Sequence, residues 1–115
     1  MKIRIKQISA NEAESLCRKI TTDLPEYFSL PECNEHYAKG VRKCSNFTLN
    51  ISDDDVALLS LNFPYSNNAN IYWMGILKAY QAKGYGSQLI HEACRYAKQQ
   101  GASSMTGKQI GRAHV

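Results

Sequence analysis

Gln81-Ala82-Lys83-Gly84-Tyr85-Gly86-Ser87 is the stretch that decides the reading of this chain. It separates an apolar run, Ile71 to Leu77, from a segment at 84–100 with helical periodicity. In that segment Leu89, Ile90, Ala93, Cys94 and Ala97 form an apolar stripe, and His91, Glu92, Arg95, Lys98 and Gln99 cover the other faces. Glycines at 84 and 86 let the backbone bend until several N–H groups face one point. Together with the start of the following helix, those N–H groups make a cradle for an anion, and Lys83 adds a positive charge. A phosphate or pyrophosphate is the natural ligand. Two phosphate-binding patterns do not fit. G-x-G-x-x-G needs a third glycine where Leu89 stands. G-x-x-x-x-G-K-[ST] finds its nearest match at Gly101 to Gly107-Lys108-Gln109, which is one residue too long and ends in Gln.

Working outward, each flank has a clear period. Ile71 to Leu77 is apolar almost throughout, as in a strand covered on both faces. Gly75 within it is explained by a bulge or by a close backbone approach. Upstream, Phe47, Leu49 and Ile51 alternate over 46–51. Ser52-Asp53-Asp54-Asp55 is a turn by composition. Val56 to Phe63 is a second strand, apolar on Ala57, Leu59, Leu61 and Phe63, so the pair predicts a hairpin. Pro64 to Asn70 reads as a loop. Residues 2–8 alternate, with Lys2, Arg4 and Lys6 on one face and Ile3 and Ile5 on the other. Asn11 followed by Glu14 predicts a helix start. Ala13, Leu16, Cys17 and Ile20 carry that helix to about Thr21, before Asp23-Leu24-Pro25 breaks it. Pro31 opens a second helix with Cys33, Tyr37 and Val41 on one stripe. Gly101 predicts the end of the 84–100 helix, and Ala102 to Thr106 a last strand.

Composition narrows the class. The 115 residues are 43% hydrophobic and 21% charged, which suits one globular domain and excludes collagen, disorder and coiled coil. No stretch approaches the apolar length of a membrane span, and the charged start lacks a signal peptide's apolar region. A net charge of +4 does not by itself argue for nucleic acid. The four cysteines form no C-x-x-C pair, and His36, His91 and His114 have no ligand spacing with them, so no metal is expected. Reduced thiols in a cytoplasm are the expected state.

Gln81-Ala82-Lys83-Gly84-Tyr85-Gly86 matches every fixed position of the Q/R-x-x-G-x-G/A element, and in this it resembles the GNAT superfamily of N-acetyltransferases. Met74 to Tyr80 before it looks like that family's fourth strand and exit, and Ser87 to Gly101 like the helix that follows. One strand, two helices and a hairpin before them stand in the family's order, so the resemblance covers roughly residues 2–106. It implies an α/β (α+β) fold, a mixed and mostly antiparallel sheet flanked by helices, incomplete at the C-terminus. It implies acetyl-coenzyme A as donor, with no metal. Gln81, Ala82, Lys83, Gly84, Tyr85, Gly86 and Ser87 would hold the pyrophosphate. Met74, Gly75 and Ile76 would pair with the pantetheine arm, and a strand N–H from Met74 or Ile76 would polarise the thioester carbonyl. The implied acceptor is a small-molecule or peptide amine, which attacks directly. Neither nucleic acid nor membrane is an expected partner, and the full-length protein could form a homodimer. The rival on the same fold is a non-catalytic acyl-coenzyme A-binding module.

Catalytic residues are the gap in the resemblance. The strand from Asn70 to Leu77 carries no carboxylate, and the family's usual tyrosine acid would follow the last strand. Glu26, Tyr27 and Glu32 are the remaining acceptor-site candidates, in the connection between the first two helices. Tyr27 and Phe28 also read as loop-packing aromatics, and Tyr72 and Trp73 as sheet residues. Residues 1–109 are therefore expected to be a partial domain, inactive alone. Ile110 to Val115 matches the translation of ATC GGA AGA GCA CAC GTC, a sequencing-adapter read, and is expected to be an artefactual tail.

Overall fold

Isoleucines alternating with lysine and arginine make the first strand, β1 (Ile3–Ile8), and set the pattern of a sheet built strand by strand. After it come α1 (Ala10–Asp23), α2 (Pro31–Gly40) and a 3₁₀ turn, Val41–Lys43. The chain continues through β2 (Ser45–Ile51), β3 (Asp54–Tyr65), β4 (Asn68–Ile76), a second 3₁₀ turn at Lys78–Tyr80, α3 (Tyr85–Gln99) and β5 (Ser104–Gly107). This is a computed structural model, and it describes residues 2–65 and 67–107. The expected tail at 110–115 lies outside the described residues.

The five strands lie side by side in chain order. Every neighbouring pair is antiparallel except β4–β5, which is parallel and joined through α3. The fold is thus the mixed, mostly antiparallel sheet that the sequence implies. Its two faces bury different sets of residues. Leu49, Ala57, Leu59, Leu61, Met74 and Ile76 pack with Tyr85, Leu89 and Ala93 of α3. On the opposite face Leu58 and Trp73 pack with Ala13, Leu16, Cys17 and Ile20 of α1, and with Ala38 and Val41. That second face also buries polar groups, and those of Asn46, Thr48 and Ser60 are paired. Ser60 Oγ donates to Asn46 Oδ1 at 2.6 Å, and Thr48 Oγ1 to the Ala57 carbonyl at 2.9 Å. No helix among the described residues is long and apolar enough to cross a membrane.

Four local expectations need correction. The capping box of α1 is Ser9 with Glu12, not Asn11 with Glu14. Asn11 Oδ1 and Glu14 instead accept from Arg42, and Glu14 also takes Arg18. Second, α2 does not bury the Cys33–Tyr37–Val41 stripe, since Cys33 is exposed. Ala38 and Val41 go inward, and Asn34 turns in to donate to the Phe28 carbonyl at 2.8 Å. Third, residues 64–70 are less of a loop than expected. β3 runs on to Tyr65, which pairs with Asn68 across an irregular register, where Pro64 and its missing N–H are tolerated. Fourth, Cys94 is only half-buried, its thiol 3.9 Å from the Met105 sulfur.

Candidate functional site

The residues expected to form the cradle lie where β4 gives way to α3. Two backbone positions turn left-handed there: Ala82 at φ +59° and Gly84 at φ +82°. A Cβ at Gly84 would meet nothing within 4 Å, so conformation and not space calls for glycine. Gly84 is the N-cap of α3, and no side chain caps the helix. Its first-turn N–H groups have no partner within a helix by geometry, so they remain available to an anion. Beside them lies a groove of about 380 Å³, lined by Ile76, Tyr80, Ala82, Gly84, Tyr85, Gly86, Ser87 and Ile90. Its lining is mostly apolar. A larger recess of about 480 Å³ lies elsewhere, but Glu12, Asp53, Asp54 and Asp55 line it, and their charge repels phosphate. Lys83 is exposed at the rim of the cradle.

Gln81 does not reach into the groove. Its Nε2 donates to the Ile76 carbonyl at 3.0 Å and ties the turn to the end of β4. That bond also reports which way the strand faces. The Leu77 N–H donates to Val56 on the β3 side at 2.9 Å. Backbone direction alternates along an antiparallel strand, so Gly75 also faces β3, while Met74 and Ile76 face the outer edge. β5 pairs with that edge only along Asn68–Ile71. Beyond it, the outward N–H groups of Met74 and Ile76 have no strand partner among the described residues.

The register places the bulge of β4 at Tyr72, not at Gly75. Trp73 to Ile76 run opposite Ser60 to Ala57 without a break, and Ile71 resumes at Leu61. Gly75 answers to the other explanation. A Cβ there would lie 2.7 Å from Trp73 Cη2 and 2.8 Å from Ile20 Cγ2. The bulge puts Tyr72 and Trp73 together on the α1–α2 face. Phe28 stacks on Trp73 with ring centroids 5.6 Å apart, and Tyr37 meets Tyr72 edge-on at 5.6 Å. The Tyr72 hydroxyl is wedged against Gly40, and burial raises its pKa above that of an ordinary phenol. Trp73 Nε1 is a buried donor with no hydrogen-bond partner among the described residues.

The three acceptor-side candidates do not converge. Glu26 pairs with Lys78 at 2.9 Å, and that ammonium holds its carboxyl below the usual range. Asp23 Oδ2 accepts the Lys78 N–H at 2.7 Å, so the end of α1 is clamped to the exit of β4. Tyr27 is exposed on the connection, and Glu32 is exposed in the first turn of α2. The aromatic group of Phe28, Tyr37, Tyr72 and Trp73 was not legible as a unit. Its signal was the aromatic content of residues 24–31, but a bulge one residue long has no period to reveal it. The described residues hold no cluster of potential metal ligands.

A family model described as "Acetyltransferase (GNAT) family" matches residues 13–111. No curated protein matches the chain in sequence. Solved structures share its fold at low identity. An aminoglycoside acetyltransferase from an uncultured soil metagenomic sample aligns with TM-score 0.67 and 18% identity, covering 94% of this chain and 80% of that one. A PaiA N-acetyltransferase from Thermoplasma acidophilum, in complex with coenzyme A, aligns with TM-score 0.69 and 16% identity, covering 88% and 75%. A ribosomal-protein-alanine N-acetyltransferase from Brucella melitensis biovar Abortus 2308 aligns with TM-score 0.69 and 11% identity, covering 93% and 79%.

Proposed function

The chain belongs to the GNAT acetyltransferase family, and we propose that it transfers an acetyl group from acetyl-coenzyme A to a primary amine by direct attack. The observation that carries this reading is the start of α3, without a side-chain cap, beside a mostly apolar groove. A pyrophosphate takes the N–H groups of residues 82–87, and Ile76, Tyr80 and Ile90 supply apolar contact to the arm beyond it. From Ile76 back to Tyr72 the strand covers four residue steps, on the order of 13 Å. An extended arm held at the cradle therefore reaches the bulge. When bound, acetyl-coenzyme A supplies a thioester carbonyl as the acyl donor.

This chain's own residues do the rest. The outward N–H groups of Met74 and Ile76 are fixed donors on the strand edge, placed for a carbonyl oxygen that gains charge during acyl transfer. Gln81 keeps that edge and the cradle in register through the Ile76 carbonyl. β4 offers no carboxylate, so the amine has to arrive uncharged or lose its proton to water. The same absence favours the second reading, a module that binds an acyl-coenzyme A without turnover.

Calorimetric titration with acetyl-coenzyme A, followed by a thiol-release assay over a panel of amines, tests both readings. Binding is the expected result, and amine-dependent thiol release by these residues would overturn the expectation that they are inactive alone. Thiol release by a C-terminally extended version separates acetyl transfer from the non-catalytic module. No binding would remove both.

A further inference from the structure

The surface around the bulge of β4 is rich in aromatic and apolar side chains. The connection between α1 and α2 carries two of the large apolar side chains that stand in solvent, Tyr27 at 45% and Leu30 at 58% exposure. Between them Phe28 is half-buried on Trp73, and behind it Tyr37 backs onto Tyr72 at the bulge. Apolar groups clustered at a loop, continuous with a half-open aromatic layer, mark a contact surface for an apolar body.

The carboxylates of the same region are already committed to this chain's own donors. Glu26 holds Lys78, Glu35 holds Arg18 and Lys39, and Glu14 holds Arg18 and Arg42. Asp23 accepts a backbone N–H. Glu32 alone has no ion pair with a described residue, and one exposed carboxylate is a weak, screened attraction. The whole chain carries a net charge of +4. A polycation would meet a positive protein with its acidic groups neutralised, and it would gain nothing from the aromatic layer beyond scattered cation–π contacts.

We propose that the acceptor is a monoamine carried on an aromatic or branched apolar body, bound against Tyr27, Phe28 and Leu30, and not a polyamine or a polycationic sugar. This inference rests on the acetyl-transfer reading for its chemistry, but it can be tested without turnover. Trp73 is the sole tryptophan and stacks on Phe28, so its fluorescence reports occupancy of this surface.

The experiment titrates the full chain with phenethylamine and with spermidine while following Trp73 fluorescence, and runs the thiol-release assay with the same two amines. Phenethylamine is expected to act at the lower concentration in both. Tyr27→Ser and Leu30→Ser, both at exposed positions that the core does not use, are expected to weaken phenethylamine about threefold to tenfold together and to leave spermidine unmoved. Tighter binding or faster turnover of spermidine would overturn the proposal, as would equal losses for both amines in the variants. Failure to release thiol while fluorescence still discriminates keeps the surface, and it counts against acetyl transfer only if a C-terminally extended version fails as well. A chain that releases thiol without discriminating would do the reverse.

Discussion

Substituting Gly84 separates its role in the fold from its role in the cradle. At φ +82° and with open space around it, an added side chain is strained but not crowded. The left-handed conformation costs an L residue about 1–2 kcal/mol. Gly84→Ala should lose that much stability, and Gly84→Val more, because β-branched residues tolerate this region least. In a domain of this size each kcal/mol lowers Tm by about 4–8 °C, so the alanine variant should melt roughly 5–15 °C below the parent. Asparagine differs from both. It visits the left-handed region readily, and its side-chain oxygen can accept from the first turn of α3, a bond the natural helix lacks. Gly84→Asn should therefore keep most of the stability. It should also bind coenzyme A worse than Gly84→Ala, since its oxygen occupies the N–H groups that a phosphate needs. Gly84→Asp adds a like charge, so it should fold well and bind worst. Thermal melts by far-UV circular dichroism and calorimetric titration with coenzyme A give the two orders. Stability should run Asp and Asn above Ala above Val, and affinity Ala above Asn above Asp. If affinity simply follows stability across the four variants, the start of α3 is not the ligand site and the reasoning fails.

Four other perturbations probe the cradle, the bulge, an ion pair and the thiols. Lys83→Ala should weaken coenzyme A several-fold and flatten the salt dependence of binding, because an exposed lysine acts as a screened point charge; an unchanged salt slope would place its ammonium away from the ligand. Gly40→Ala puts a Cβ into the Tyr72 ring and should destabilise by about 1–3 kcal/mol, but cost little in a Tyr72→Ala background, as chemical denaturation would read. Arg18 holds the Glu35 carboxyl down at about 2, against an ordinary 4.5, so the bridge stabilises above the ordinary value and is lost as pH falls from there toward 2. Melting temperature should drop across that window in the parent and less steeply in Glu35→Gln. Among the thiols, burial pushes Cys17 up to about 12, whereas Cys33 is exposed, so a thiol-reactive dye should label Cys33 first and Cys17 only on unfolding.

Where sequence and structure agree, local periodicity was enough. The hairpin around Asp53 and the Leu89–Ala93–Ala97 stripe each show their buried face within a few residues, whereas in β1 Ile3 is exposed, Ile5 half-buried and Ile8 the buried residue. The Gln81–Ser87 turn was legible at Gly84, which is left-handed; its second left-handed residue is Ala82, and Gly86 lies inside α3. Where they differ, the deciding partner lies far along the chain. Asn11 and Glu14 resemble a helix start as closely as Ser9 and Glu12 do, and only Arg42, brought in from beyond α2, claims them for an ion network. Cys33 looks more apolar than Asn34, yet the Phe28 carbonyl gives the asparagine a reason to turn inward. Glu26 reads as an acceptor candidate in sequence, and its pairing with Lys78, 52 positions later, could not be seen there. Tyr72 and Trp73 share a face only because the register slips between Ser60 and Leu61.

A sheet whose strands lie in chain order also constrains how it can be made. Each of the first four strands finds its partner in the one before or after it, so the antiparallel part can assemble as the chain leaves the ribosome, with short loops to close except across α1 and α2. β5 cannot join that way. Its parallel pairing needs the whole of α3 to have emerged and to have packed across the sheet, because a parallel crossover has no short route. The cradle lies on this crossover. The Gln81–Ser87 turn thus reaches its final shape only after α3 and β5 have emerged, later than the antiparallel strands before it.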